Sequence, residues 1–261
     1  MKDKIIWITG ASSGIGEALA HQFSKEHSLL ILSSRNEAAL LKVRSECAFP
    51  DRVKILPLDL EDLDSLPKKA ATAWELYGSI DVLINNGGIS QRSLALETNL
   101  STEQKIMNID FWGTTVLSKA VLPKMIANKG GQIVCVTSLV GKFGTKYRSA
   151  YSAAKHALHG YFDSLRSEIY SHNIYITMVC PGFIKTNVSI NAMTADGSIQ
   201  GTMDEAQSKG MSAGEFAQKM YKAISNKKEE VYIGGKEVYG VYLKRFFPKL
   251  FSKIVRKQKV T

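Results

Sequence analysis

Short apolar segments alternate with longer amphipathic segments along most of the chain. The short segments predict strands near residues 4–9, 28–33, 52–58, 80–84, 131–137, 174–180 and 230–233. The long segments predict helices near residues 14–26, 36–47, 61–77, 101–127, 149–172 and 212–225. Successive apolar residues at Ile133, Val134, Cys135 and Val136 are typical of a strand covered on both faces. We therefore predict an α/β fold with a doubly wound parallel sheet of about seven strands.

No linker or repeat interrupts this alternation. The 261 residues, of which 44% are hydrophobic and 22% charged, predict a single globular domain over residues 1–261. Residues 186–210 form the longest stretch without clear periodicity, directly after the sixth predicted strand. Ligands bind at the carboxyl edge of such sheets, so we interpret this stretch as a mobile substrate lid. An ordinary surface insertion is the alternative.

A glycine-rich turn joins the first predicted strand to the first helix, in the sequence Thr9-Gly-Ala-Ser-Ser-Gly-Ile-Gly16. Glycines let the backbone turn tightly and approach a ligand, and a helix N-terminus offers free N–H groups to an anion. This position in an alternating chain is typical of a Rossmann fold that binds the pyrophosphate of a dinucleotide. We predict contacts to the dinucleotide from Gly10, Ser12, Ser13, Gly14, Ile15 and Gly16.

The end of the second strand indicates which dinucleotide is bound. An NAD site usually places an acidic residue there, on the ribose 2′-hydroxyl, but this chain has Ser34, Arg35 and Asn36. Arginine and neutral donors suit a 2′-phosphate, so we predict NADP(H) as coenzyme. A solvated arginine at a helix start is the alternative interpretation of Arg35.

Two later strand ends add candidate coenzyme contacts. Asp59 could accept a hydrogen bond from the adenine amino group, with Leu60 against the ring. The sequence Asn85-Asn86-Gly87-Gly88 ends the fourth strand, where Asn86 and Gly87 could lie against the coenzyme. Asn85 could contact the coenzyme or tie strands together.

The candidate catalytic residues follow the fifth strand. Tyr151 and Lys155 are four residues apart in a predicted helix and project from one face. A positioned phenol can exchange a proton with a substrate oxygen, and a neighbouring ammonium favours the phenolate form. Ser138 ends the strand and can donate to the same oxygen. The spacing alone is common on exposed helices, but here the motifs occur in the order of one site.

Together these motifs resemble those of the short-chain dehydrogenase/reductase family, in its common single-domain branch, over nearly the whole chain. Thr9 to Gly16 resembles the coenzyme motif of the family. Asn85 to Gly88 resembles its Asn-Asn-Ala-Gly turn, with glycine in place of alanine. Ser138, Tyr151 and Lys155 resemble its catalytic residues. The chain is most similar to the branch that contains 11β-hydroxysteroid dehydrogenases and related reductases.

The resemblance implies an NADP(H)-dependent oxidoreductase that transfers hydride between the nicotinamide and a carbonyl or secondary alcohol. Tyr151 would be the acid in reduction and the base in oxidation, and Lys155 would also bind the nicotinamide ribose. The nicotinamide would meet the segment that contains Pro181, Gly182, Ile184 and Thr186. The resemblance also implies a homodimer or homotetramer. A non-catalytic NADP(H)-binding regulator is the alternative.

One position departs from the family pattern. The family usually has an asparagine three residues before Gly113, where it shapes a kink and holds a relay water, but this chain has Asp110. Asn108 would point to another helix face unless the helix is irregular. A carboxylate accepts from water but cannot donate as an amide does, and it could pair with Lys155. We therefore include Asp110 among the candidate catalytic residues.

The net charge of +10 is concentrated at the end of the chain. Seven Lys and Arg residues and no acid occur from Lys244 onward, so no nucleic-acid partner is predicted from the total. Pro248 to Lys257 predicts a helix with Leu250, Phe251 and Ile254 on one face. This basic tail, about residues 244–261, could lie on anionic lipid or pack on protein, and the two alternatives stay open.

The cysteine pattern indicates the compartment. Cys47, Cys135 and Cys180 are widely spaced, which is typical of buried reduced thiols. The first strand begins near residue 4 and no run of 18 apolar residues occurs, so we expect a cytoplasmic protein, with peripheral membrane contact as an option for the tail. No spacing typical of a metal site is present.

Overall fold

A seven-stranded sheet with all strands parallel forms the centre of the protein. The structure is a computed structural model that describes residues 1–257. In spatial order the strands are β3 (Val53–Ile55), β2 (Leu29–Ser33), β1 (Ile5–Thr9), β4 (Val82–Asn85), β5 (Gly131–Val136), β6 (Ile174–Pro181) and β9 (Glu230–Ile233). Two short strands, β7 (Ile184–Lys185) and β8 (Met211–Ser212), pair separately. The predicted doubly wound fold is confirmed.

Helices cover both faces of this sheet. They are α1 (Gly14–Lys25), α2 (Glu37–Glu46), α3 (Leu66–Tyr77), α4 (Leu100–Met107), α5 (Thr114–Ala127), α6 (Ser149–Glu168), α7 (Glu205–Ser208), α8 (Ala213–Ser225), α9 (Tyr239–Phe246) and α10 (Pro248–Lys257). Within residues 1–257, no helix has the length and apolar character needed to cross a bilayer.

Two apolar layers hold the helices on the sheet. Side chains alternate along β1, so Trp7 packs in the layer under α3, α5 and α6, while Ile8 packs under α1, α2 and α8. Phe162 anchors α6 in the first layer, and Phe216 anchors α8 in the second. Both phenylalanines are fully buried. This two-sided coverage explains why the central strands are apolar at successive positions.

Three predicted boundaries were wrong. Strand β3 ends at Ile55 rather than residue 58, although Leu56 N and Leu58 N still donate to Leu32 O at 2.9 Å and Ser34 O at 3.2 Å. Helix α3 begins at Leu66 rather than residue 61, after a turn in which Ser65 N donates to Asp62 O at 3.2 Å. The predicted helix 101–127 is divided by a π-helical turn at Asn108–Gly113.

The predicted lid, residues 186–210, contains the short helix α7 and packs beside the carboxyl edge of the sheet. Its Met193 pairs with Gln91 through backbone bonds, and Ala192 is fully buried. A loose surface insertion would not bury these residues. Mobility of the segment stays a prediction.

Candidate active site

The glycine turn after β1 is held against the turn after β4. Gly10 has a φ of +64°, and a Cβ there would lie 2.7 Å from the Gly87 Cα, so only glycine fits. Asn86 Nδ2 donates to Thr9 O at 3.0 Å and Gly10 O at 3.2 Å. The Gly87 N–H donates to Thr9 Oγ1 at 3.0 Å. Asn86 and Gly87 therefore shape the turn that we predicted to hold the coenzyme.

The start of α1 suits the pyrophosphate of a dinucleotide. Ser13 is its N-cap in an extended conformation and makes no side-chain capping bond, so the N–H groups of Gly14, Ile15 and Gly16 face outward at the positive end of the helix. A Cβ on Gly14, whose φ is +60°, would come within 3.1 Å of Thr186. The turn and the Thr186 side chain thus lie close together, which leaves little room for a side chain at residue 14.

The predicted specificity residues lie at the end of β2. Arg35 is exposed beside the half-buried Ser34. Asn36 Oδ1 accepts from Ala39 N at 3.0 Å and caps α2, which leaves its amide N–H groups for a ligand. The exposed Arg35 guanidinium and the Asn36 amide N–H groups are compatible with a 2′-phosphate at this edge of the sheet.

The residues predicted to meet the adenine and nicotinamide lie at the neighbouring strand ends. Asp59 Oδ1 accepts from Glu61 N at 3.0 Å, so one of its oxygens is engaged locally. Leu60 packs in the core near Gly87 and Gly113. The four residues from the end of β6 onward line the main cavity together; they are Pro181, Gly182, Ile184 and Thr186. Asn85, by contrast, ties β4 to α5 by donating to Ser118 Oγ at 2.9 Å.

Ser138, Tyr151 and Lys155 line one cavity of about 770 Å³ at the carboxyl edge of the sheet. Ser138 follows β5, and Tyr151 and Lys155 lie in the first turns of α6. The Lys155 Nζ lies 5.5 Å from the centre of the Tyr151 ring. Ile15, Asn86 and the 181–186 segment line the same cavity, so the candidate catalytic residues and the candidate coenzyme groove meet there.

Asp110 forms a buried ion pair with Lys155, with 3.1 Å between Oδ2 and Nζ. Its Oδ1 accepts from the Ile89 N–H at 2.8 Å. Burial raises the pKa of Asp110, against the opposing effect of Lys155. Burial lowers the pKa of Lys155, but Asp110 and Tyr151 together oppose it and the pKa is raised overall. The predicted pairing is therefore present, and Lys155 keeps its charge into the alkaline range.

The π-helical turn explains how Asp110 reaches this position. It inserts a wider turn at Asn108–Gly113, and such turns are frequent at functional sites. A Cβ on Gly113 would lie 2.6 Å from Leu60 O, so the irregular turn packs directly on the strand end. Gly88 is equally restricted, because a Cβ there would lie 3.1 Å from Asp110 Oδ1.

Two supporting residues were missed from the sequence. Gln91 Oε1 accepts from the N–H groups of Ala150 at 2.9 Å and Tyr151 at 3.3 Å, which fixes the start of α6. Glu237 Oε1 accepts from Phe183 N and Gly235 N, both at 2.9 Å, and holds the nicotinamide segment to the chain after β9. Because Gln91 and Glu237 are far in sequence from Ala150 and Phe183, no local sequence pattern indicates these contacts.

A buried charge cluster anchors the predicted lid to the wall of the cavity. Arg92 Nη2 lies 2.6 Å from Asp204 Oδ2, and Arg148 Nη2 lies 3.2 Å from the same oxygen. Both arginines line the cavity. Burial, followed by the nearby Arg92, lowers the pKa of Arg148 to about 10. The cluster joins residue 204 of the lid to the start of α6.

Helices α9 and α10 complete the wall of the cavity, a role that the sequence did not predict. Tyr239, Tyr242, Phe246, Phe247 and Ile254 are cavity-lining residues from α9 and α10 and the junction between them. Phe251 anchors α10, with its ring 5.0 Å from that of Phe143. Packing of the tail on its own domain is thus confirmed for residues up to 257, while residues 258–261 lie outside the described residues.

Comparisons with known proteins identify the family of the chain. A family model described as short chain dehydrogenase matches residues 4–196. A dehydrogenase/reductase SDR family protein 7-like of Anopheles gambiae is 40% identical, over 99% of this chain and 84% of the relative. Dehydrogenase/reductase SDR family member 7B of Mus musculus is 38% identical, over 98% and 81%. A short-chain dehydrogenase structure from Streptomyces avermitilis superposes with a TM-score of 0.84 at 26% identity, covering 98% of both chains.

The chain belongs to the short-chain dehydrogenase/reductase family, as its motifs predicted. The fold and the relatives together define an oxidoreductase of this family.

Proposed function

We propose that this protein is an NADP(H)-dependent oxidoreductase of a carbonyl or secondary alcohol substrate, with Tyr151 as general acid and base. The observation that carries the proposal is the convergence of Ser138, Tyr151 and Lys155 on a cavity that Ile15 and Asn86, from the candidate coenzyme groove, also line. When bound, the nicotinamide supplies or accepts the hydride.

The coenzyme would be held by backbone at one end and by side chains at the other. The N–H groups at the start of α1 would bind the pyrophosphate, and Arg35 would bind the 2′-phosphate. The absence of an acid after β2 supports NADP(H) over NAD(H). Lys155 would donate to the nicotinamide ribose, since its ammonium is buried beside the groove.

In reduction, the Tyr151 hydroxyl would give its proton to the substrate oxygen as the carbonyl becomes an alcohol. Ser138 would donate a second hydrogen bond to that oxygen and fix its position. Lys155 favours the phenolate that Tyr151 leaves behind, and Gln91 holds the backbone from which the tyrosine projects. The reverse sequence serves oxidation of the alcohol.

The test is NADPH oxidation over a panel of aldehydes and ketones, comparing the protein with Tyr151→Phe. We expect kcat to fall by about 100-fold or more in Tyr151→Phe, the usual contribution of a general acid, while the Kd for NADPH changes little. Tyr170→Phe is the matched control, because Tyr170 is exposed and outside the cavity. Equal rates in all three proteins would contradict the assignment of Tyr151.

A second candidate is a non-catalytic NADP(H)-binding regulator. The Asp110–Lys155 ion pair favours it, because a carboxylate on Lys155 competes with the ribose hydroxyls for the ammonium. This candidate predicts tight NADPH binding without turnover on any member of the panel, and no kinetic effect of Tyr151→Phe.

We also propose a cytoplasmic protein that assembles as a homodimer or homotetramer. Three buried, unpaired thiols support a reducing compartment. Exposed apolar side chains at Leu100 and Trp112, near α4 and α5, support an interface on those helices. Sedimentation equilibrium of the protein and of Trp112→Glu would test the assembly, and an unchanged mass would contradict this interface.

A further inference from the structure

Helices α9 and α10 carry a second apolar face that no described residue covers. Their inner face packs on the domain through Phe251 and Val255. On the outer side Phe246 is 68% exposed, Phe247 is 62% exposed and Leu250 is 49% exposed. Large aromatic side chains at this exposure mark a site of interaction rather than an ordinary surface.

The same two helices also carry many basic residues. Six positive side chains lie on the two helices; they are Lys244, Arg245, Lys249, Lys253, Arg256 and Lys257. All six are exposed. No Asp or Glu occurs from residue 238 to the end of the chain, and the preceding acid, Glu237, accepts hydrogen bonds from two backbone N–H groups. The helices thus combine exposed apolar side chains with charged side chains of positive sign only.

The mouth of the active-site cavity opens on this surface. Tyr239, Tyr242, Phe246, Phe247 and Ile254 are each exposed on one side and line the cavity on the other. A partner bound to the surface would therefore lie against the entrance for substrate.

We infer that this α9–α10 surface, residues 239–257, docks on the anionic surface of a lipid bilayer. Exposed basic and apolar side chains on the same helices match the charged headgroups and the hydrocarbon boundary of such a membrane. A second copy of the chain fits poorly, because symmetric contact would place the six positive side chains of one protomer against those of the other.

The docking also indicates a substrate class, and this part rests on the proposed function. An apolar carbonyl compound dissolved in the bilayer would reach Tyr151 through the aromatic mouth without crossing water. The cavity beyond the mouth is lined by Leu139, Val140, Phe143 and Leu243, which suit an alkyl or ring substrate.

Vesicle co-sedimentation tests the docking without any need for activity. The protein is mixed with vesicles of phosphatidylcholine alone, or with about 30 mol% phosphatidylserine. We expect binding to the anionic vesicles, weak binding to the neutral ones, and release as salt shortens the screening length. Full recovery of the protein in the supernatant with anionic vesicles would overturn the inference.

Variants at residues outside the cavity distinguish the contribution of charge to vesicle binding from that of apolar contact. Lys249→Glu/Lys253→Glu should weaken binding to anionic vesicles by about 30-fold or more, and Leu250→Ser by about 10-fold. Lys222→Glu/Lys228→Glu is the matched control, since both lysines are exposed and lie on α8 and the loop before β9. An equal loss in the control would overturn the assignment of this surface. A change in the mass of Leu250→Ser in sedimentation velocity would also overturn the assignment, because it would indicate that this surface is a protein interface.

Activity then distinguishes this inference from the proposed function. Lys249→Glu/Lys253→Glu should reduce a water-soluble ketone as fast as the unmodified protein, but reduce a long-chain ketone carried in anionic vesicles several-fold more slowly. Vesicle binding without NADPH oxidation would contradict the proposed function alone. Oxidation without vesicle binding would contradict the docking alone.

Discussion

Asp110 Oδ2 lies 3.1 Å from Lys155 Nζ, and both side chains are buried. The family usually has an asparagine at this position, so the active site carries one more negative charge than the family pattern implies. The carboxylate therefore offsets the charge of the lysine that the proposed mechanism uses.

Replacement of the carboxylate by an amide tests this role. Asp110→Asn removes the main influence that opposes burial at Lys155, and burial lowers the pKa of Lys155. The raised pKa keeps Lys155 protonated at high pH. Without Asp110, the pH above which kcat/KM for NADPH oxidation declines should therefore be lower by about 1 pH unit or more. The variant should also lose about 3 kcal/mol or more of unfolding free energy, because a buried charge is left without its partner.

The control is the double variant Asp110→Asn/Lys155→Met. It should be more stable than the sum of the two single changes predicts, since the unpaired charge is gone. Identical pH profiles of Asp110→Asn and the unmodified protein would show that the ion pair has no kinetic role.

The strands and the order of the site motifs could be predicted, because both depend on local pattern. β1 is a continuous apolar run followed by a glycine turn, and Ser138 follows another such run. The π-helical turn could not be predicted, since it depends on how Gly113 packs on Leu60, which are far apart in sequence. The sequence indicated the resulting ion pair between Asp110 and Lys155 only as one alternative.

The aromatic mouth was missed for a similar reason. The apolar face of α10 is visible in the sequence, but the element that receives Phe251 is not. Phe143 follows β5, and only the folded sheet brings it to α10. Contacts between elements more than 100 residues apart leave no periodicity from which they could be inferred.

Arg35 should determine the choice of coenzyme. Arg35→Ala should raise the Kd for NADPH by about 10-fold to 100-fold, because a charge-assisted hydrogen bond to the 2′-phosphate is lost, and leave the Kd for NADH nearly unchanged. Fluorescence titration with both coenzymes measures the effect. Lys42→Ala, an exposed change in α2 a few residues beyond Arg35, is the control. Tighter binding of NADH than NADPH by the unmodified protein would contradict the NADP(H) assignment.

Phe251 should hold α10 against the domain. Phe251→Ala removes a buried ring that packs 5.0 Å from Phe143, so α10 should detach locally while the sheet stays folded. We expect trypsin to cleave at Lys249 and Lys253 about 10-fold faster or more, with a small change in Tm. Leu250→Ala, on the exposed face, should leave the cleavage rate unchanged. A large cooperative fall in Tm would show instead that α10 belongs to the main folding unit.

Glu230 should make the stability of the protein depend on acid pH. Burial raises its pKa, but hydrogen bonds from His159, Lys142 and Tyr232 outweigh this and bring the pKa from 4.5 to about 2. The folded state therefore favours the carboxylate, and its contribution to stability is complete above pH 4.5 and is lost as the pH falls toward 2.

Glu230→Gln should lower the unfolding free energy by about 1 to 3 kcal/mol at neutral pH, because an amide cannot accept the 2.6 Å bond from Lys142 as a charged group does. The difference from the unmodified protein should shrink toward zero as the pH falls, since protonation removes the same charge from Glu230. Urea unfolding across the acid range measures it, with the exposed Glu97→Gln as control. A difference that stays constant with pH would show that Glu230 stabilises the fold by packing rather than by its charge.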